Sequence, residues 1–220
     1  MNIGLILAAG SGNRFGEKIP KQFSLLNDKM LIDYSIQKFS NSKFIDKIII
    51  VAHKEWVSKL KHKYKVCKII AGGKTRRESS FLGLKNCPNK TKNVLIHDSA
   101  RPFITTDKID ECISNLDYFD SVLVSKKVTN TIIRIKQKVE VLNRNFLYPN
   151  QTPQGFRFKI IMDAHKTNNK KDLTDDFSLL DSNKTTFKII SPPPNNIKIT
   201  SQEDLVLANA IIEKNNESNI

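Results

Sequence analysis

Little in this sequence would hold a small secreted scaffold together. It has three cysteines, Cys67, Cys87 and Cys112, with no CxxC and no Cys/His ligand spacing. A disulfide framework and a cysteine-based zinc site are therefore excluded, and a reduced, cytoplasmic setting is expected. No apolar run approaches the ~20 residues needed for a bilayer-spanning helix, so no membrane partner is expected. No basic segment precedes the first apolar run, Ile3 to Ala9, and a secretory leader is not expected. No Ser/His/Asp or Cys/His signature is present, which argues against covalent catalysis. Acidic residues are also scarce: 22 Asp+Glu against 36 Lys+Arg give a formal charge of +14. The lysines are scattered (Lys54, Lys59, Lys61, Lys63, Lys65, Lys85, Lys166, Lys170) rather than set in a stripe. That pattern reads as a solvated surface attractive to small anions, not as a nucleic-acid footprint.

What is present is a regular alternation. With 220 residues, 39% of them hydrophobic, the chain suits one domain with one sizeable core. Short apolar runs at Ile3–Ala8, Ile45–Val51, Val66–Ile70, Asn93–Ile96, Ser121–Val124 and Phe187–Ile190 read as strands. Between them, segments near Leu31–Phe39, Glu55–Tyr64, Glu78–Leu84 and Phe158–His165 carry helical spacing, and a last helix runs from about Gln202 to Lys214. Strands alternating with helices predict an α/β fold with a parallel sheet covered on both faces. Ligands in such sheets bind beyond the carboxyl ends of the strands, where the polar clusters of this chain fall. The rhythm breaks at Thr129–Ile135 and Val139–Leu142, two β segments joined by Lys136-Gln137-Lys138. An isolated ribbon is marginal in water, so this one is expected to pack on something, a second subunit being a good candidate.

Three clusters can carry chemistry. Leu7-Ala8-Ala9-Gly10-Ser11-Gly12-Asn13-Arg14 is a glycine-punctuated loop after the first strand. It is neither a Walker A loop nor a dinucleotide GxGxxG, because its third glycine, Gly16, comes one place late. Small residues let backbone N–H groups approach an anion, and Arg14 with Lys18 or Lys21 can neutralise phosphates. His97-Asp98-Ser99-Ala100-Arg101-Pro102 ends another strand. Asp98 there could hold Mg²⁺ through its oxygens or form an ion pair with Arg101 that shapes the turn. Gly72-Gly73-Lys74-Thr75-Arg76-Arg77-Glu78-Ser79 is a basic turn opening a helix, where Ser79 could meet a base edge or simply cap the helix. Spacing leaves Lys198, in Asn196-Ile197-Lys198-Ile199-Thr200, open between a ligand contact and a surface lysine.

In this order, together with Pro20-Lys21-Gln22-Phe23, Gln151-Thr152-Pro153-Gln154 and Thr174-Asp175, these segments resemble the 2-C-methyl-D-erythritol 4-phosphate cytidylyltransferases and their ribitol-5-phosphate relatives. The resemblance spans nearly the whole chain. It implies a Rossmann-like nucleotidyltransferase domain over residues 1–220, with a mostly parallel sheet. It also implies a homodimer clasped through a protruding β arm at about 127–150. The implied reaction is transfer of CMP from CTP to a polyol phosphate with a divalent cation such as Mg²⁺. Methylerythritol phosphate is the favoured acceptor and ribitol 5-phosphate, or another polyol phosphate, the alternative. By the same resemblance Arg14 and Lys21 hold the triphosphate, while Ala8, Ala9, Gly10, Gly12, Gly73 and Ser79 surround the cytosine or phosphates. Asp98 serves the metal-bound nucleotide, flanked by Ser99 and Arg101. Thr131, Arg144, Thr152 and Lys198 match positions that hold the acceptor, with Thr131 and Arg144 reaching the partner's site.

Overall fold

In the computed structural model, which describes residues 1–10, 19–168 and 173–217, eleven strands and six α-helices are found. In chain order they are β1 (Asn2–Ala8), β2 (Leu25–Leu26), β3 (Lys29–Met30), α1 (Leu31–Ser40), β4 (Lys47–Ala52), α2 (Val57–Lys63), β5 (Lys68–Ala71), α3 (Arg76–Lys85) and β6 (Asn93–Asp98). Then come α4 (Thr106–Asn115), β7 (Ser121–Ser125), β8 (Ile132–Ile135), β9 (Val139–Leu142), β10 (Asn150–Arg157), α5 (Phe158–Thr167), β11 (Phe187–Ile190) and α6 (Gln202–Glu217).

The sheet order is β11-β7-β10-β6-β1-β4-β5. An interior strand, β1, is apolar at nearly every position because both its faces are covered. Alternate residues of the sheet feed two cores. Ile6, Ile48, Ile50, Leu95 and Val122 pack with Phe39 of α1, Leu60 of α2 and Ile109 and Ile113 of α4. Leu5, Leu7, Ile49, Val51 and Ile96 pack with Leu84 of α3 and Ile161 of α5 on the other side. Helix α3 lies close because Gly83 has no side chain: a Cβ there would stand 2.4 Å from Leu5 Cδ1.

The chain leaves β1 in one direction through β4 and β5, then crosses by α3 to β6 on the opposite flank of β1. The strand order reverses there, and β1, β4, β5 and β6 run parallel, so their carboxyl ends open a crevice on one edge. Every expected strand and helix is present, with ends differing by a few residues. The sheet is mostly parallel, as expected, and its exception is β10, which runs antiparallel between β6 and β7 through the segment that reads as a polar cluster. Its Gln154 and Thr152 are buried, and their polar atoms bond to neighbouring loops and to β6, which reconciles a polar sequence with a central strand. Helix α4 and the β2–β3 hairpin are not among the expected elements, although Ile109, Cys112, Ile113 and Leu116 recur at helical spacing along α4.

The segment that breaks the rhythm is a separate two-stranded ribbon, β8–β9, outside the main sheet. Ile133 faces Val141 and Ile135 faces Val139 across it, all exposed on one side, while Arg134 and Glu140 form an ion pair on the other. Its neck is closed by Val128 N–H donating to Leu147 O.

Candidate active site

The crevice at the reversal point is a cleft of about 650 Å³. β1 and the start of its loop contribute Leu7, Ala8, Ala9 and Gly10, and β6 with its following turn contributes Asp98, Ser99 and Ala100. The turn after β5 and the first residues of α3 add Gly73, Lys74, Thr75, Arg76 and Ser79, and His53 stands at the end of β4. Lys21, Gln22, Lys198 and Thr200 complete the wall. Expected residues Ala8, Ala9, Gly10, Lys21, Gly73, Ser79, Asp98, Ser99 and Lys198 thus converge, although the chain separates the first from the last by almost its full length. Gly12 and Arg14 lie outside the described residues.

Local bonds explain how each wall is held. Gln22, 3% exposed, donates through Nε2 to both Ala8 O and Gly10 O, each at 2.8 Å, fixing the start of the first loop. That loop sits against the next turn because position 72 is glycine: a Cβ there would lie 2.3 Å from Ala9 Cβ. Helix α3 begins with Thr75 Oγ1 accepting from Glu78 N–H, an N-cap. Ser79 Oγ donates to Thr75 O and accepts from Gly73 N–H, so it caps locally while lining the cleft. Ser99 Oγ donates to Leu7 O at 2.8 Å and ties the β6 turn to β1.

Asp98 is the electrostatic centre. Lys198 Nζ stands 2.6 Å from its Oδ2 and Arg76 Nε 3.3 Å from its Oδ1. Burial works against the charge, but the two cations more than offset it and hold the carboxyl well below the usual range. The expected pairing with Arg101 is replaced by these two. Arg101 instead donates its backbone N–H to Asp98 O and its Nη1 to Asn196 O, bracing the segment that carries Lys198. Lys198 is therefore no ordinary surface lysine. Lys21 Nζ donates to Ile199 O at 2.8 Å, tethering the same segment. Among the described residues of the lining, Lys21, Lys74, Arg76 and Lys198 face a single carboxylate.

Thr152 and His97 stand behind this layer. Asp98 N–H donates to Thr152 Oγ1, the threonine hydroxyl bonds to His97 Nδ1, and His97 Nε2 bonds to Arg101 O. A carbonyl only accepts, so the proton sits on Nε2, and Nδ1 accepts from the threonine. Burial lowers the His97 pKa to about 4. Thr131 and Arg144 lie away from the cleft, exposed on the ribbon and its base, where Arg144 Nη1 donates to Thr129 O.

Sequence reasoning missed His53, Lys74 and Thr200 as lining groups, and missed the part played by Arg76. It read Leu173-Thr174-Asp175-Asp176 only as a polar cluster and gave no role to Asp176, the buried carboxylate that receives Arg76 Nη1 at 2.7 Å. Only the turn chemistry around Gly72-Gly73 signals Arg76; nothing local signals a partner 100 residues away.

Residues 3–214 match the family model described as 2-C-methyl-D-erythritol 4-phosphate cytidylyltransferase. The chain is 37% identical over 223 residues to a protein of that name from Clostridium botulinum, covering 96% of both. It is 36% identical over 224 residues to another from Petrotoga mobilis, covering 96% of this chain and 98% of that one. The crystal structure of a 4-diphosphocytidyl-2C-methyl-D-erythritol synthase from Anaerococcus prevotii superposes with a TM-score of 0.85 at 29% identity, over 96% of each chain.

Proposed function

The chain belongs to the 2-C-methyl-D-erythritol 4-phosphate cytidylyltransferase family, and on that premise we propose how it transfers CMP from CTP to 2-C-methyl-D-erythritol 4-phosphate. The products are 4-diphosphocytidyl-2-C-methyl-D-erythritol and pyrophosphate, a step of isoprenoid precursor synthesis. The observation that carries the reading is the cleft at the strand reversal, lined by four cationic side chains and one ionised carboxylate, with two of the cations, Lys198 and Arg76, paired to it.

A phosphate oxygen of the acceptor attacks the α-phosphorus of CTP, and the bond from that phosphorus to the bridging oxygen of pyrophosphate breaks. The nucleophile is already ionised at neutral pH, so no general base is required. Charge spreads over the equatorial oxygens, and fixed cations do most of the catalytic work. Lys21 and Lys198 hold the phosphates, with Arg14 as a further cation of the first loop. Ala8, Ala9, Gly10 and Gly73 leave room for the nucleotide to approach the backbone, and Ser79 stands where a cytosine edge would meet the start of α3. Ser99 and Arg101 keep the β6 turn and the Lys198 segment in register. A magnesium ion suits this site, since one charged carboxylate with substrate phosphates is a common Mg²⁺ arrangement; Asp98 would hold it, and bound there it would supply Lewis acidity to the phosphates.

The exposed apolar side of the ribbon fits a second copy of the chain. In that homodimer Thr131 and Arg144 of each arm reach the partner's cleft, and Thr152 supports the acceptor side from behind Asp98. Incubation with CTP and Mg²⁺ and each acceptor in turn, with pyrophosphate as the readout, tests the reading. Release with methylerythritol phosphate but not ribitol 5-phosphate is expected; release with ribitol 5-phosphate alone would overturn the acceptor.

A further inference from the structure

Behind the cleft lies a second carboxylate that touches no substrate space. Asp176 is 1% exposed and sits just before the short turn Phe177–Leu179. Its Oδ1 accepts from Ser80 Oγ at 2.6 Å and from His165 Nε2 at 3.0 Å, and its Oδ2 accepts from Arg76 Nη1 at 2.7 Å. Its backbone N–H donates to Gln154 Oε1 of β10. Helices α3 and α5, strand β10 and the 173–176 segment therefore meet at one buried charge. His165 itself is locked by a parallel stack on Phe81, with ring centroids 5.4 Å apart.

The guanidinium of Arg76 is divided between two carboxylates. Nη1 is held by buried Asp176, and Nε reaches Asp98 in the cleft at the longer distance of 3.3 Å. A guanidinium left to one carboxylate prefers the bidentate fork, in which two N–H groups engage both oxygens. Here each carboxylate takes a single nitrogen, and Nη2 is buried with no hydrogen-bond partner among the described residues. Asp176, itself held by Ser80, His165 and Gln154, fixes the guanidinium from behind, so that Nε stands at Asp98.

We infer that Asp176 is a positioning residue for cytidylyl transfer, acting through Arg76, whose guanidinium it holds in place against Asp98 in the cleft. The inference rests on the proposed activity. It explains why a charged side chain is kept in a buried position at all, since burying a carboxylate is costly unless it is paired and hydrogen-bonded.

The test compares wild type with Asp176→Asn, Arg76→Lys and the double variant, reading kcat, KM for CTP and the thermal midpoint. Asp176→Asn is expected to lose roughly 10²-fold in kcat, the scale of a misplacement of about 1 Å, with KM for CTP changed only a few-fold. The double variant is expected to be no slower than the slower single one, because both changes break one linkage. A lowered thermal midpoint with kcat unchanged, or losses that multiply in the double variant, would overturn the inference and leave the activity standing. A wild-type protein that forms no pyrophosphate with any polyol phosphate would overturn both. Should Asp176→Asn not fold, Asp176→Glu keeps the charge and moves it by a methylene; a kcat equal to wild type in that variant would also overturn the inference.

Discussion

Lys21 and Lys198 both line the cleft, and each donates a bond that fixes its ammonium near the place where phosphates are proposed to sit. Replacing Lys21 by alanine should lower kcat by ~10²–10³, by analogy with a lost oxyanion donor, while the fold survives because Lys21 lies at the rim of the core. Steady-state pyrophosphate release decides this, and near-normal turnover would remove Lys21 from the chemistry. His97 makes a different prediction. Its pKa is lowered to about 4 by burial, so from pH 8 to about pH 5 its imidazole resonances should not titrate in an NMR series. The unfolded chain takes up that proton near pH 6.5 and the folded chain does not. Stability is therefore full above pH 6.5 and falls as the pH drops towards 4, by roughly 3 kcal/mol from this group alone. Urea midpoints between pH 7 and 5 should decline accordingly. At this scale the sequence was legible where residues are neighbours: the loop after β1, the turn after β6 and Lys198 were all marked in it. It was silent on the Asp98–Arg76–Asp176 chain, since pairings 22 and 100 residues apart are made by the fold and not by local pattern.

Elements were legible in proportion to how far each served a single purpose. β1, β4 and β6 are buried on both faces and read directly as apolar runs. Helix α6 shows its start: Asp204 Oδ2 accepts from Thr200 N–H, Thr200 Oγ1 and Ser201 N–H, while Asp204 N–H reaches Ser201 Oγ at 3.4 Å. Asp204→Ala should cost about 1 kcal/mol through loss of this cap, measurable as a lower thermal midpoint. β10 was illegible because proline, glycine and amides fill a strand whose polar groups brace the cleft rather than face water. The α3–β1 contact tolerates no added atom. Gly83→Ala drives a methyl into Leu5 and Val51, and urea unfolding should show about 1–3 kcal/mol of destabilisation, with activity per folded molecule retained.

For the whole molecule, the apolar side of the ribbon sets the expectation. Ile135, Val139 and Val141 are each about two-thirds exposed, an unfavourable display for an isolated chain and a favourable one for a pair. The double change Ile135→Lys with Val141→Lys should convert a dimer into a monomer by sedimentation, and with it lower turnover if the arm completes the partner's cleft. Mixing Lys21→Ala chains with Arg144→Ala chains should restore part of the activity, because one of the two sites in a mixed dimer then has both groups intact. A dimer that persists with the charged ribbon would place the interface elsewhere.

Ser125 at the end of β7 and Asn150 at the start of β10 are paired across adjacent strands. Everything between them thus leaves the domain and comes back through one doorway. Residues 126–149 can be trimmed or lengthened without altering the register on either side, and trimming them also removes Thr131 and Arg144, the groups proposed to reach a second copy's cleft. A chain in which that loop is cut back to a tight turn should keep the seven-stranded sheet and lose its companion.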